Sequence, residues 1–169
     1  MNTLSEDVLT RVSTEAAETF ADAYYTSLTS SRSTLSTFYA PQTTLPNGKL
    51  LPTILWNGTS IPTPTAFQSL FAAESMPYTY FEVQSLNAHV LNPSLEPIDD
   101  DRAGKNKIEN NISVLVQVSG YVRLIERKEG PMRGFSDTLV LVPNREGTRG
   151  KSSVGRRWVV QSQNLRFVV

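Results

Sequence analysis

Cysteine is absent from the chain and histidine occurs once, at His89. These two facts exclude a disulfide framework, a thiolate nucleophile, a cysteine-based zinc or iron–sulfur site, and any metal site built from several histidines. Long apolar runs are also missing. No stretch approaches the roughly 20 residues that span a bilayer, so no membrane partner is expected. The first 25 residues carry five acids and no apolar signal core, which predicts an intracellular protein without a secretory leader. Glycine is sparse, and none of the nine residues precedes a helix in a phosphate-binding or dinucleotide-binding pattern. No nucleophile elbow is visible either. These gaps leave no cofactor to expect.

What is present is ordinary for a folded domain. The chain has 169 residues, 39% hydrophobic and 19% charged, enough to bury one core as a single domain spanning 1–169. Its net charge of zero conceals an asymmetry. Residues 1–101 hold 3 basic and 11 acidic side chains, and residues 102–169 hold 13 basic and 5 acidic. A basic half points either to a polyanion or acidic partner, or to solvated strand edges whose charge guards against aggregation.

Periodicity predicts helices first and strands after. Leu4, Val8, Val12, Ala16, Phe20, Ala23, Tyr24 and Leu28 recur every three or four residues, giving an amphipathic helix over 4–28 capped by Ser5 or Thr3. A short helix is predicted over about 30–39, closed by Pro41. A third starts at Thr63 with Pro64 in its first turn. Between them, Asn57-Gly58 is a strong hairpin signal. Extended runs follow at 79–91, 112–122, 134–142 and 156–168, with Gly120 marking a bulge or bend. Long loops are expected at about 45–52, 92–110 and 143–155. Helices segregated from a meander of strands imply an α+β layer fold, helices on one face of a curved antiparallel sheet.

Individual polar residues carry weak signals. His89 reads as a hydrogen-bonded strand histidine, and Tyr24, Tyr25 and Tyr39 as core aromatics. Asp137 reads as an exposed or dimer-facing carboxylate, or as the base of a pocket. The Asp99–Asp101 triplet lacks the spacing of a calcium loop, and two glycosylation sequons, at Asn57 and Asn111, read as chance matches. In the 112–122 strand the second face carries Leu115 and Tyr121 beside Gln117. Helices cover only one face of such a sheet, so this half-apolar face is a candidate subunit interface. Reversed register would put Ile112, Val114 and Val116 there instead.

Several segments in order resemble one family. Residues 16–25 (AAETFADAYY), then Arg32, Leu35 and Phe38-Tyr39, then Leu55-Trp56-Asn57-Gly58, resemble the opening of the nuclear transport factor two-like family. Residues 157–167 (RWVVQSQNLRF) resemble its last strand, and 114–122 and 134–141 its central strands. The likeness spans about 8–168 and is nearest to the small subunits of heterodimeric messenger RNA export receptors. It implies a cone-shaped fold whose sheet packs on a similar domain of a larger subunit. It further implies a non-catalytic role stabilising that subunit, contact with phenylalanine–glycine repeats of pore proteins, and a nuclear and pore-associated location with shuttling to the cytoplasm. Arg166 matches an arginine that pairs with an acid of the large subunit. The partner-facing residues expected are therefore Arg166, Leu115, Gln117, Tyr121 and Asp137. The loops near 45–52 and 92–110 resemble extended loops of fungal members that are implicated in ribosomal and RNA cargo. Lys105, Lys107, Arg127, Lys128, Arg145, Arg149 and Lys151 are the candidate contacts to RNA phosphates, without base readout. Two other functions fit the same cone: a pocket enzyme of isomerase or dehydratase type, and a homodimeric carrier of the small GTPase Ran.

Overall fold

The structure, a computed structural model, describes residues 4–98, 104–126, 128–145 and 156–168. Helix α1 runs Glu6–Ser30. The Val8 amide donates to the Ser5 hydroxyl at 3.4 Å, and Glu6 and Asp7 sit near the positive end of the helix dipole. The apolar stripe of α1, from Val12 through Phe20 and Tyr24 to Leu28, is buried. The next segment, expected as a helix, is a 3-10 helix over Arg32–Phe38. Its hydroxyls explain the tighter winding. Thr34 donates to the Ser31 carbonyl at 2.8 Å and Thr37 to the Thr34 carbonyl at 2.6 Å, so three-residue turns compete with the α-helical ladder.

A two-stranded ribbon follows, β1 (Thr43–Thr44) with β2 (Leu50–Leu51), flanking the turn-rich stretch Pro46-Asn47-Gly48, where a loop interrupting extended segments is expected; β2 falls within the 45–52 span read as loop. Strand β3 (Thr53–Trp56) then turns through Asn57-Gly58 into β4 (Thr59–Ile61). Both turn residues have positive φ, 48° and 86°, the geometry that makes Asn-Gly a hairpin former. Helix α2 (Pro64–Ala72) starts as its sequence predicts, with the Ala66 amide donating to the Thr63 hydroxyl at 2.9 Å.

The remaining strands are β5 (Thr79–Asn92), β6 (Ser113–Leu124), β7 (Met132–Pro143) and β8 (Trp158–Val168). They pair antiparallel in sequence order. The six-stranded sheet runs β4-β3-β8-β7-β6-β5, and β3 joins β8 in parallel. The expected antiparallel meander is thus right for β5 to β8, and β3 makes the sheet mixed. Between β5 and β6 lies α3, a single turn over Lys105–Glu109 inside the predicted loop. Its Glu109 is buried and paired with Arg11 at 2.9 Å, which ties the loop to α1. The predicted loop at 143–155 and the acid triplet lie almost wholly outside the described residues.

One face of the sheet is covered by α1, the 3-10 helix and α2. There Phe20, Tyr24 and Phe38 pack as stacked and edge-on pairs, and Tyr25–Phe135 and Phe67–Phe71 as tilted pairs, with centroids about 5–6 Å apart. Val114, Val116, Val118 and Val122 of β6 point into this core and are buried.

Candidate functional site: the outer face of the sheet

Strand alternation sends the other half of the side chains to the opposite face, and register arranges them in rows. Leu115 lies beside Val140 and Ser162; Gln117 beside Thr138 and Asn164; Ser119 beside Ser136 and Arg166; Tyr121 beside Gly134 and Val168. Leu115, Gln117 and Tyr121 thus share the outer face as the sequence pattern assigned them, and the alternative set of Ile112, Val114 and Val116 is in the core. The face is apolar at one corner, where Tyr121, Met132 and Val168 are each about half exposed, and neutral and polar across its middle.

Arg166 is the charged residue of those rows. It is exposed, on the penultimate turn of the β8 alternation, and its guanidinium lies over the Asn57–Gly58 turn. A Cβ added at Gly58 would sit 3.3 Å from Arg166 Nη1. The turn is itself fastened to β8. The Asn57 amide donates to the Leu165 carbonyl at 2.8 Å, and the Phe167 amide donates to Asn57 Oδ1 at 3.2 Å. Among the described residues no carboxylate pairs with Arg166. An exposed cation without an anion among the described residues is suited to bind an external one.

Asp137 is not on this face. The expectation of an exposed or partner-facing carboxylate is corrected: its exposure is 0%. It shares the inward parity of Phe135, Leu139 and Leu141 on β7. One oxygen, Oδ2, accepts from the Tyr25 hydroxyl at 2.8 Å and from Gln163 Nε2 at 3.0 Å. Gln163 extends the network. Its amide nitrogen donates to the Tyr24 hydroxyl at 3.0 Å, its carbonyl accepts from Tyr39, and Tyr24 and Tyr39 hydroxyls share a 2.8 Å bond. The other oxygen, Asp137 Oδ1, has no partner among the described residues. Burial raises the Asp137 pKa to about 6, against the opposing hydrogen bonds from Tyr25 and Gln163. Burial likewise pushes all three tyrosines well above their ordinary value. Tyr24, Tyr25 and Tyr39 are core aromatics as predicted, with a hydrogen-bonded polar seam that spacing alone does not announce. His89 is exposed on β5 beside Leu115, with no hydrogen bond to its ring among the described residues, so the satisfied strand histidine expected there is not found.

The candidate RNA contacts are scattered. Lys105 pairs with Glu109 at 3.7 Å and Arg145 with Glu96 at 3.2 Å. Lys128 is exposed and Lys107 lies on α3. Arg127, Arg149 and Lys151 lie outside the described residues. Two arginines that the sequence did not single out are engaged internally: Arg156 stacks on the Phe38 ring at 3.2 Å, and Arg157 donates to Asn110 Oδ1 at 2.7 Å. Met132, Val140 and Val168 were also missed as outer-face residues, although two-residue counting from Ser136 and Arg166 finds them.

No protein-family model and no curated protein matches the chain. Solved structures do. It is similar to a chain in the structure of a Sac3N peptide bound to Mex67:Mtr2, with a TM-score of 0.73 and 19% identity over 93% of this chain and 99% of that one. It is similar to a chain of the Chaetomium thermophilum Mex67 NTF2-like domain complexed with Mtr2, with a TM-score of 0.70, 19% identity and the same coverage. It is also similar to nuclear transport factor 2 (Ntf2) from Cryptosporidium parvum, with a TM-score of 0.60 and 19% identity over 95% of this chain and 98% of that one. With its long capped helix, its Asn-Gly hairpin fastened to the last strand and its sheet curved around an aromatic core, the chain has the NTF2-like fold.

Proposed function

We propose that this chain is the non-catalytic small subunit of a heterodimeric nuclear mRNA export receptor, docked through the outer face of β6, β7 and β8. The observation that carries the reading is Arg166, an exposed cation beside the Asn57–Gly58 turn with no carboxylate partner among the described residues, on a sheet face that the helices leave open. The likeness to chains in Mex67:Mtr2 structures supports it. A larger subunit with a similar sheet would cover Leu115, Gln117, Val140 and Tyr121 and supply a carboxylate to Arg166. Desolvation at the centre of such an interface makes this pair a determinant of which partner fits.

In this role the heterodimer carries ribonucleoprotein through nuclear pores by contact with phenylalanine–glycine repeats, and works in the nucleus, at the pore and in the cytoplasm. Lys107 and Lys128 are the candidate cations that pair with no carboxylate among the described residues, and they would bind RNA phosphates without regard to sequence. The enzyme reading is less well supported. Its acid, Asp137, is sealed under Tyr25 and Gln163, and a substrate has no open approach to it through the described residues.

The test is co-purification of the tagged chain with its Arg166→Glu variant run beside it. A near-stoichiometric larger protein is expected with the natural chain, and charge reversal should weaken its retention at least tenfold, since unpairing one buried charge costs about 2–5 kcal/mol. Recovery of the chain alone, as a stable monomer or homodimer, would sink the reading.

A further inference from the structure

The two edges of the sheet are unlike. One ends in β4, three residues long, which is how natural sheets blunt an edge. The other is β5, fourteen residues long, with no lysine, arginine or proline between Thr79 and Asn92. Beside its first half lies a groove of about 550 Å³ against α1, lined by Asp22, Tyr25, Thr26, Tyr80, Glu82 and Val83 among others.

The main chain of β5 faces that groove. The Thr79 carbonyl accepts from the Thr29 hydroxyl of α1 at 2.7 Å, while the Tyr78 carbonyl accepts from the Ile125 amide on the β6 side. Thr79 therefore turns its peptide groups away from β6. By two-residue alternation Phe81 and Val83 do the same. The alternation is interrupted by the bulge between Val83 and Ser85. The groove lining stops at Val83 too, so the open edge and the groove share one segment, 79–83.

The chemistry of the lining is acidic. Asp22 and Glu82 are exposed, and among the described residues no cation pairs with either. Val83 is 37% exposed and offers an apolar contact at the mouth. A strand laid along this edge would gain main-chain hydrogen bonds at Phe81 and Val83, and its side chains would meet Glu82 on the outer side of the sheet and Asp22 of α1 on the other. We propose that the edge of β5 at Thr79–Val83 is a docking site for an extended peptide bearing lysine or arginine, added to the sheet as a seventh strand. Glu82 adjoins Tyr121 of the outer face in register, but the open main chain of Phe81 and Val83 lies at the sheet edge, so the proposal stands whether or not the face of β6, β7 and β8 binds a large subunit.

The test uses the full chain with a labelled probe, acetyl-Val-Lys-Val-Lys-Val-Lys-amide, beside the same peptide with glutamate for lysine. Fluorescence anisotropy should register binding of the lysine peptide at least tenfold tighter than the glutamate one. Hydrogen exchange should slow at the Phe81 and Val83 amides and not at the outer-face amide of Val140. Val83→Pro removes one edge donor and should weaken binding at least tenfold. Asp22→Lys with Glu82→Lys changes exposed side chains only and should reverse the preference between the two peptides. The inference is overturned by equal binding of both peptides, by unchanged exchange at Phe81 and Val83, or by charge reversal without effect. A concentration-dependent homodimer that Val83→Pro dissolves would also overturn it, because the occupant would then be a second copy of this chain.

Discussion

Asp137 is a carboxyl with one oxygen held by two donors and the other left bare inside the core. Its pKa near 6 lies above the ordinary 3.8 because burial penalises the charged form. Between those two values the folded chain holds the proton and the unfolded chain has released it. Unfolding there releases a proton, so stability falls as pH rises from about 4 to about 6 and then levels off. The shift corresponds to roughly 2–3 kcal/mol across that window. Asp137→Asn keeps the shape, removes the titration and should flatten this part of the profile. Urea unfolding at a series of pH values checks it, and an unchanged slope would mean that Asp137 is not the group responsible. The burial of Asp137 was legible in the sequence: it stands two residues from Phe135 and Leu139, on the parity that faces the helices. A carboxylate's preference for water points outward, and the parity of the strand overrides it. Gln163 was harder to find, since a glutamine in a strand acquires a role only when a tyrosine from another element arrives beside it.

At the scale of elements, β5 and β6 stay in step because of one glycine. A Cβ at Gly120 would lie 1.9 Å from the Glu82 carbonyl oxygen, main chain against which nothing can swing aside. Opposite it, β5 absorbs an extra residue at Gln84. The bend expected at Gly120 is thus carried by the neighbouring strand, and glycine is what lets that strand come so near. Gly120→Ala should destabilise by about 2–3 kcal/mol, the usual cost of forcing volume into a packed site, read as a shifted urea midpoint. Loss under about half that would mean the strands part easily. Elements with strong local chemistry were legible throughout: the Ser5-capped helix, the Thr63-Pro64 start, the Asn57-Gly58 turn. The 3-10 helix was not, because apolar spacing is similar for both windings and hydroxyl bonds chose between them. The parallel pairing of β3 with β8 was invisible as well, since more than a hundred residues separate the partners and no local signal links them.

At the scale of the molecule, the sheet is a wall with two unlike sides. Leu139 and Val140 are neighbours in sequence and belong to opposite sides. Leu139→Ala should cost about 2–5 kcal/mol of stability, as for any leucine emptied from a core. Val140→Asp should leave the unfolding midpoint of the isolated chain within about 0.5 kcal/mol and abolish retention of the larger partner. Parallel unfolding and co-purification assays on both variants test the division, and a chain destabilised by both would show that the outer face is structural. The halves of the charge distribution fall within this plan: α1 and β5 carry the acids Asp22 and Glu82, and β8 carries Arg166.

The position of β8 has a consequence for how the molecule comes into being. Strand β8, the furthest along the described chain, is laid between β3 and β7, in the interior of the sheet. Until residues 158–168 emerge, the β3–β4 hairpin has no sheet to join and β7 offers an unprotected margin. The sheet can therefore close only when residues 158–168 are in place, and without them it is left as two separate pieces, β3–β4 and β5–β7. The same strand brings Arg166, so the residue that would greet a partner arrives in the act of closing the fold.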